Sequence, residues 1–262
     1  MRALIVGCGK MGKAIEAALA AKGHAVVGRI DEGDRPGDFL ESESGTSAGS
    51  SVSGMAAAAV KGRRRNSPSK KLAAVDVAFE FTTPASAESL VVFLLSKQIP
   101  VVSGTTGWET APAARIALDQ KTPFLHSPNF SIGVAVMRRL AVRAASLLAP
   151  FPGFEPGILE RHHSAKKDAP SGTAKLLAAA VGSVHPGPAV PVVALRQGGQ
   201  PGEHVLFFEG DSESLEIVHR ARSRAIFASG AVAAAEWLLA SGPRGPATFD
   251  EFLDSISKGG TP

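Results

Sequence analysis

The first twelve residues, Met1-Arg2-Ala3-Leu4-Ile5-Val6-Gly7-Cys8-Gly9-Lys10-Met11-Gly12, restrict the fold more than any other stretch. Ala3 to Val6 is a short apolar run that reads as a buried strand. A helix then buries one face through Ala14, Ile15, Ala18 and Leu19, and a second strand, His24 to Ile30, ends at Asp31. Strand, G-x-G-x-x-G, helix, strand and acid, in that order, form the dinucleotide-binding pattern. Its glycines serve a tight turn, close approach of a pyrophosphate, and packing of the helix on the strand. Gly7, Cys8, Gly9, Lys10, Met11 and Gly12 are therefore expected at a cofactor's phosphates, with Asp31 accepting hydrogen bonds from its adenosine ribose. The cofactor expected is NADH and/or NADPH. Asp31 favours a free ribose hydroxyl, while Arg29, Lys10 and Lys13 offset its repulsion of a 2′-phosphate, so dual use with some NADH preference is expected.

The α/β rhythm resumes at Val75 to Phe81, a strand ended by Thr82-Thr83-Pro84. A helix over Ala85 to Ser96, a strand over Pro100 to Ser103, a helix near Ala111 to Gln120 and a strand over Pro123 to His126 follow. Two of these strands run into Gly104-Thr105-Thr106-Gly107 and Ser127-Pro128-Asn129-Phe130, the small and hydroxylated residues that a doubly wound sheet sets beside its ligand. Gly104, Thr105, Thr106, Ser127, Pro128, Asn129 and Phe130 join the expected cofactor set. A helix over Val134 to Leu148 leads away from this sheet. Strand-like runs at Gly157 to Glu160, Val190 to Leu195, Glu203 to Glu209 and Ser214 to His219 then enclose one clear helix. The fold class expected is α/β: an N-terminal Rossmann-type doubly wound parallel sheet plus a smaller α+β domain with a mixed sheet. The expected division is a dinucleotide-binding domain over 1–130, a substrate and oligomerisation domain over 131–227, and a C-terminal part, 228–262, whose apolar helix Ala228 to Leu239 returns to the first domain. Loops near Phe130 and at Ala225 to Ser229 are candidate hinges.

One stretch breaks the rhythm. From about residue 40 to 71 the chain is rich in Ser, Gly and Ala and ends in Lys61-Gly62-Arg63-Arg64-Arg65 and Lys70-Lys71. Such a basic cluster can meet RNA, but no aromatic residues are interleaved for stacking, so a solvated insertion is expected there. Elsewhere the composition is that of a folded enzyme, with 44% hydrophobic and 20% charged residues and a net charge of +4. That charge calls for no nucleic-acid partner. No apolar run has membrane-spanning length, and the single cysteine, Cys8, fits a reducing cytoplasm.

The densest chemistry lies in Leu159 to Lys175, LERHHSAKKDAPSGTAK. It gathers His162, His163, Lys166, Lys167 and Asp168 ahead of Pro170-Ser171-Gly172-Thr173, and a helical run follows at Ala174 to Val181. Ser171 is a natural N-cap, which leaves the N–H groups of Gly172 and Thr173 open to an anion. Imidazole and ammonium groups beside such a helix start suit a substrate that carries carboxylates or phosphates and needs a proton. No metal is expected, because no third ligand stands at useful spacing from the two histidines. Adjacent strand residues face opposite ways, so His162 and His163 share a pocket only if the strand ends between them. His204 and His219 read as structural.

These blocks resemble the 4-hydroxy-tetrahydrodipicolinate reductase (dihydrodipicolinate reductase) family. Glu160-Arg161-His162-His163 through Lys166, Asp168 and Pro170-Ser171-Gly172-Thr173-Ala174 is similar to its E-x-H-H-x-x-K-x-D-x-P-S-G-T-A signature. Phe81-Thr82-Thr83-Pro84, Gly104-Thr105-Thr106-Gly107 and Asn129-Phe130-Ser131-Ile132-Gly133-Val134 resemble its cofactor-side blocks. Its C-terminal blocks are resembled by Arg196-x-Gly198, Gly202-x-His204 and Ile217-x-His219-x-Ala221-x-Ser223-Arg224. The Gly-rich turn is one residue shorter than the family's commoner G-x-x-G-x-x-G, and the insertion matches no family block. The resemblance implies a cyclic imine dicarboxylate as substrate, reduced in lysine and diaminopimelate biosynthesis. It also implies His162 and Lys166 as the proton-donor pair, His163 with the backbone of Gly172 and Thr173 as carboxylate ligands, and a homotetramer built through the second sheet. Two rival expectations are another imine reductase or amino-acid dehydrogenase, and a non-catalytic NAD(P)H-binding redox sensor. A sensor has no use for the proton donors. A semialdehyde dehydrogenase would need a mid-chain cysteine, which this chain does not have.

Overall fold

A computed structural model describes residues 1–34, 74–151 and 153–259. The basic stretch at 40–71 lies outside the described residues. In the first half, β1 (Arg2–Val6), α1 (Lys10–Ala21), β2 (Ala25–Ile30), β3 (Val77–Glu80), α2 (Pro84–Ser96), β4 (Val101–Ser103), α3 (Ala111–Asp119) and β5 (Phe124–His126) alternate. All of these strands pair in parallel, in the order β5-β4-β3-β1-β2. The order reverses between β3 and β1, which opens a crevice at the carboxyl ends of those two strands. Alternate residues of each strand feed opposite faces. Ile5, Phe79, Val102 and Leu125 pack on one side with Ile15 and Leu19 of α1. On the other side Leu4, Ala78, Val101 and Phe124 meet Val91, Leu94 and Leu95 of α2 and Ala113 and Ala117 of α3. A sheet covered on both faces needs near-continuous apolar strands, and β3 and β4 are buried at every residue.

The second sheet has the order β7-β6-β8-β9, from β6 (Glu155–His162), β7 (Val192–Arg196), β8 (Glu203–Glu209) and β9 (Ser214–Arg220). It is mixed: β6 and β7 run parallel, whereas β6 with β8 and β8 with β9 run antiparallel. Two helices, α4 (Ile132–Leu148) and α5 (Gly172–Gly182), cover one face through Met137, Ala141, Ala174, Leu177 and Val181 against Ile158, Leu206 and Phe208. Both helices start at a serine whose hydroxyl caps them. Ser131 Oγ accepts from the Val134 N–H and Ser171 Oγ from the Ala174 N–H, each at 3.2 Å.

The chain then returns to the first sheet through α6 (Ala225–Ala240), whose Ala228, Ala231, Val232 and Leu238 join the core beneath α1. Glu236 of α6 accepts from Lys22 Nζ at 2.5 Å and pairs with the His24 ring at 2.7 Å. Residues Ala225 to Ser229 are the first turns of this helix rather than the loop expected of a hinge, because the apolar periodicity continues back past Ala228. Two elements went unread in the sequence. Strand β10 (Pro246–Thr248) adds to β5 in parallel, and α7 (Phe249–Ser257) follows at once. The strand is too short for any periodicity. The helix did carry a signal, since Thr248 and Glu251 form a reciprocal capping box.

Candidate active site

The crevice is lined first by the glycine turn. Gly7 has φ +95°, and a Cβ there would stand 2.2 Å from the Phe81 carbonyl oxygen of the neighbouring strand end. A Cβ at Gly12 would stand 2.1 Å from the Gly7 oxygen, so helix α1 packs directly on the turn. Gly9 differs: a Cβ there would meet nothing within 4 Å, and no side chain caps the helix. An uncapped start of α1 with open space beside Gly9 is the arrangement that receives a pyrophosphate at a helix start. Asp31 follows β2 beside the turn, and its Oδ1 accepts from the Cys8 N–H at 3.3 Å. Burial and the Asp31 charge push the Cys8 thiol up, which keeps it protonated and inert. Arg29 is taken up by an ion pair with Glu16.

Along the same edge, the fully buried Glu80 organises the next loop. Its carboxylate accepts from Ser103 Oγ at 2.6 Å, Thr105 Oγ1 at 2.7 Å and the Thr82 N–H at 3.0 Å. The Thr105 carbonyl accepts in turn from Trp108 Nε1 at 2.7 Å and pairs with the His126 ring at 2.9 Å. Gly104 lies flat on the Phe81 ring, where a Cβ would stand 2.1 Å from Cε1. Thr106 is thereby held at the mouth of the crevice. The Ser127 to Phe130 loop is fixed from within, by Ser127 Oγ on the Asn129 carbonyl and by Asn129 Oδ1 on the Ser131 N–H, both at 2.8 Å. The Phe130 ring packs against Phe81 and Phe249 in the core, which leaves only its backbone for a ligand.

Opposite stands the end of β6. Glu160 and His162 share the buried face of the strand and Arg161 takes the other, as the pleat requires. The strand ends at His162, so His163 turns into the same cleft. Lys166 closes a turn by donating its N–H to the His163 carbonyl, and its ammonium pairs with Asp168 Oδ1 at 2.7 Å. That hydrogen bond holds the Asp168 carboxyl below its usual range. The Gly172 and Thr173 N–H groups stand at the start of α5, and a Cβ at Gly172 would meet nothing within 4 Å. His162, His163, Lys166, Gly172 and Thr173 line one cleft of about 890 Å³, together with Thr106 and the Ser127 to Asn129 loop of the first sheet. The glycine turn, Asp31, Gly104, Thr105 and Phe130 do not line this cleft. They lie along the strand ends leading to it, as an extended dinucleotide would.

Glu160 is the most densely bonded residue of the site. Arg196 forks onto it, Nη2 donating to Oε1 at 2.6 Å and Nη1 to Oε2 at 3.0 Å, and the Ser171 N–H donates to Oε1 at 3.0 Å. His162 Nδ1 donates to Oε2. Burial works to raise Glu160, but these donors outweigh it and the carboxyl sits below its ordinary range. Burial lowers His162, against the pull of Glu160 and with the cations of Lys166 and Arg196. His204 lies edge-on to His162 with ring centroids 5.2 Å apart, and its Nε2 pairs with Ser171 Oγ at 3.1 Å. Burial pushes His204 down to about 4.

Ligand atoms of Glu160, His162 and His204 converge within 4.8 Å, a trio that strand pairing assembles and that spacing in the sequence does not show. The Arg196 guanidinium already supplies the cation for this carboxylate. Sequence reading gave Glu160, Arg196 and Glu80 no role. For Glu80 the signal was an acid inside a wholly apolar strand, and for Arg196 a cation closing one.

A Rossmann sheet with an open glycine turn, facing a second sheet that carries proton-bearing side chains and a capped helix start, defines a two-domain nicotinamide-nucleotide oxidoreductase. Family models sharpen this. The model described as dihydrodipicolinate reductase, N-terminus, matches residues 1–130, and that described as dihydrodipicolinate reductase, C-terminus, matches residues 133–253. The chain is 44% identical over 168 residues to the 4-hydroxy-tetrahydrodipicolinate reductase of Xanthomonas euvesicatoria, covering 63% of this chain and 68% of that one. It is 36% identical over 198 residues to the enzyme of the same name from Archaeoglobus fulgidus, covering 68% and 76%. The dipicolinate-bound dihydrodipicolinate reductase of Paenisporosarcina sp. TG-14 shares the fold, with a TM-score of 0.69 at 22% identity over 95% of this chain and 97% of that one. The protein belongs to the dihydrodipicolinate reductase family.

Proposed function

We infer that the protein reduces 4-hydroxy-tetrahydrodipicolinate to tetrahydrodipicolinate with a pyridine nucleotide, a step of lysine and diaminopimelate biosynthesis. The observation that carries this reading is the cleft in which His162 and Lys166 stand beside the Gly172–Thr173 helix start, across from Thr106 and Asn129. When bound, the reduced nicotinamide supplies a hydride to the conjugated ring. The chain's own residues do the rest. Electron density pushed onto the ring must be quenched by a proton, and protonated His162, with Lys166 adding charge, is the proposed donor pair. His163 and the N–H groups of Gly172 and Thr173 are the proposed carboxylate ligands, set before the reaction begins and so costing no reorganisation during it.

Three further assignments belong to this proposal. The cofactor is NADH or NADPH with NADH favoured, supported by Asp31 beside the turn and by the Arg29–Glu16 pair that removes one cation from it. The Gly7 to Gly12 turn holds the pyrophosphate, and the Gly104 to Thr106 and Ser127 to Phe130 loops hold the nicotinamide half. The assembly is a homotetramer joined through the second sheet. Its support is an apolar row, Val193, Leu159, Val205 and Val218, in register across all four strands on the face turned away from α4 and α5. Among the described residues no helix is long and apolar enough to cross a membrane.

The test is oxidation of NADH and NADPH in an assay that makes the unstable substrate in place from pyruvate and aspartate semialdehyde with its synthase. His162→Ala and Lys166→Ala are each expected to lose activity while still binding cofactor. A folded, cofactor-binding wild type that turns nothing over would overturn the reading in favour of a sensor or another imine reductase.

A further inference from the structure

We propose that Glu160, clamped by Arg196, is the positioning residue of this reaction: it aims the His162 imidazole into the cleft and locks it to the anion-binding start of α5. The proposal rests on the reading of His162 as proton donor.

The argument begins with what each atom of Glu160 touches. A carboxylate only accepts, so a hydrogen bond from His162 Nδ1 to Oε2 requires the proton on Nδ1. Neutral His162 is thereby confined to one tautomer. The second proton that makes it an acid must sit on Nε2, the nitrogen beside Gly202, where a Cβ would stand 3.0 Å away. Gly202 lines the cleft, so the missing side chain leaves room for a reacting group at that nitrogen. The other oxygen, Oε1, accepts from the Ser171 N–H at the cap of α5. One side chain therefore sets both the donor nitrogen and the helix start that receives the carboxylate.

Arg196 makes this geometry rigid. Its fork fixes the plane of the carboxylate, and Nη2 also donates to the Asp168 carbonyl at 2.6 Å, which ties down the loop carrying Lys166. Glu160 is fully buried and does not line the cleft, so a ligand there meets His162 and not the carboxylate. Its influence passes through His162 and Ser171. Besides Glu160, the groups facing His162 are the cations of Lys166 and Arg196 and the buried His204 ring. Glu160 alone among them supplies negative charge. Without it, burial and two cations would act on the imidazole unopposed and push its second proton off at lower pH.

The experiment compares wild type, Glu160→Gln, Glu160→Asp and His162→Ala as whole enzyme. For each, kcat and KM are measured across pH 5 to 9, with cofactor binding by fluorescence and thermal unfolding as controls. Glu160→Gln is expected to bind cofactor as wild type does and to lose roughly ten- to a hundredfold in kcat, the scale of acid catalysis. The fall of its rate with rising pH should also begin at lower pH. Glu160→Asp, which keeps the charge but withdraws it by one methylene, should lower kcat and move the limb in the same direction by less. A Gln variant with wild-type kcat and limb overturns the proposal, and so does one that loses rate with its limb unmoved, since that is a merely structural effect. If the Gln variant does not fold, the Asp variant decides: an unmoved limb, whether kcat is wild-type or reduced, overturns the assignment, and reduced kcat with the limb moved to lower pH upholds it. Activity that survives His162→Ala would reject the proton-donor reading itself, independently of how Glu160 behaves.

Discussion

Asn129 Nδ2 donates to Thr173 Oγ1 at 3.3 Å, so a loop at the edge of the first sheet touches the first turn of α5, the helix proposed to receive the substrate's carboxylate. The contact is one hydrogen bond between neutral groups, and such a bond contributes about 1 kcal/mol. It is one polar link between the two halves of the cleft, beside the Arg138–Asp250 pair, and Asn129 is itself held by Ser127 and Ser131. Asn129→Ala should therefore lower kcat/KM about fivefold, in line with that energy, and leave the unfolding midpoint nearly unchanged. Steady-state kinetics beside a denaturant curve checks this. Equal loss in Thr173→Val, with no further loss in the double variant, is the expected signature of a shared contact.

The pH dependence of turnover should differ between free and liganded enzyme. His162, the proposed donor, can give up a proton only when protonated, and burial holds it below its ordinary value in the free protein. A bound dicarboxylate adds negative charge beside it and pulls it back up. Both kcat/KM and kcat should accordingly fall as pH rises, with the kcat limb at the higher pH. Coincident limbs would mean that substrate does not approach the imidazole.

Acid should unfold the protein partly through His204. A histidine held low in the folded state binds its proton more readily when unfolded. The stability it contributes is present above the unfolded value near 6.5 and is lost as pH falls toward about 4. Across that window the loss is on the order of 3 kcal/mol. Glu160, also held low, loses its contribution further down, as pH falls below the ordinary carboxylate range. Urea midpoints at pH 7 and pH 4.5 measure the sum, and His204→Gln should shrink the difference between them. The Nδ1 atoms of His204 and His219 both lack a hydrogen-bond partner among the described residues, so a proton added at either gains no acceptor, and His204 is the more deeply buried of the two.

The parts of this architecture legible in the sequence are those that repeat with a period or depend on a backbone constraint. Gly7 and Gly12 announced a turn and a helix contact, because neither position has room for a Cβ. The burial of Ile15 and Leu19, four apart, follows directly from helical spacing. The mixed second sheet was legible as strands, yet the neighbours of β6 were not. Glu160 meets His204 across β8 only through antiparallel register, and Arg196 through the parallel pairing with β7. Those contacts span thirty or more residues of chain, and no local pattern encodes them. Hence His162 and Lys166 stood out as titratable groups near a helix cap, while the carboxylate that orients His162 passed as one letter of a motif.

The helix that returns to the first sheet supports the cofactor loop from behind. A Cβ on Gly230 would stand 1.8 Å from the Phe130 carbonyl oxygen. Both residues sit in the core, with Phe130 between Phe81 and Phe249. Gly230→Ala must displace α6 or the Ser127 to Phe130 loop, and overpacking of this kind costs about 1–3 kcal/mol. The expected result is a lower melting temperature together with a raised KM for cofactor. Calorimetry and cofactor titration on the same sample would show both, whereas Ser229→Ala, one residue away on the exposed side, should show neither.

Asp31 offers the sharpest test of cofactor choice. Its carboxylate stands where an adenosine ribose would lie and accepts the Cys8 N–H, so Asp31→Asn removes the charge while its amide oxygen can keep that bond. A 2′-phosphate is repelled by the acid and attracted by Lys10 and Lys13, and the acid's removal leaves the lysines unopposed on the side where Arg29 is already paired. The ratio of kcat/KM for NADPH over NADH should rise at least about tenfold, the equivalent of 1.4 kcal/mol, with most of the change in the KM for NADPH. If the ratio does not move, the ribose is read elsewhere. The basic stretch at 40–71, with its arginines, would then be the place to substitute next.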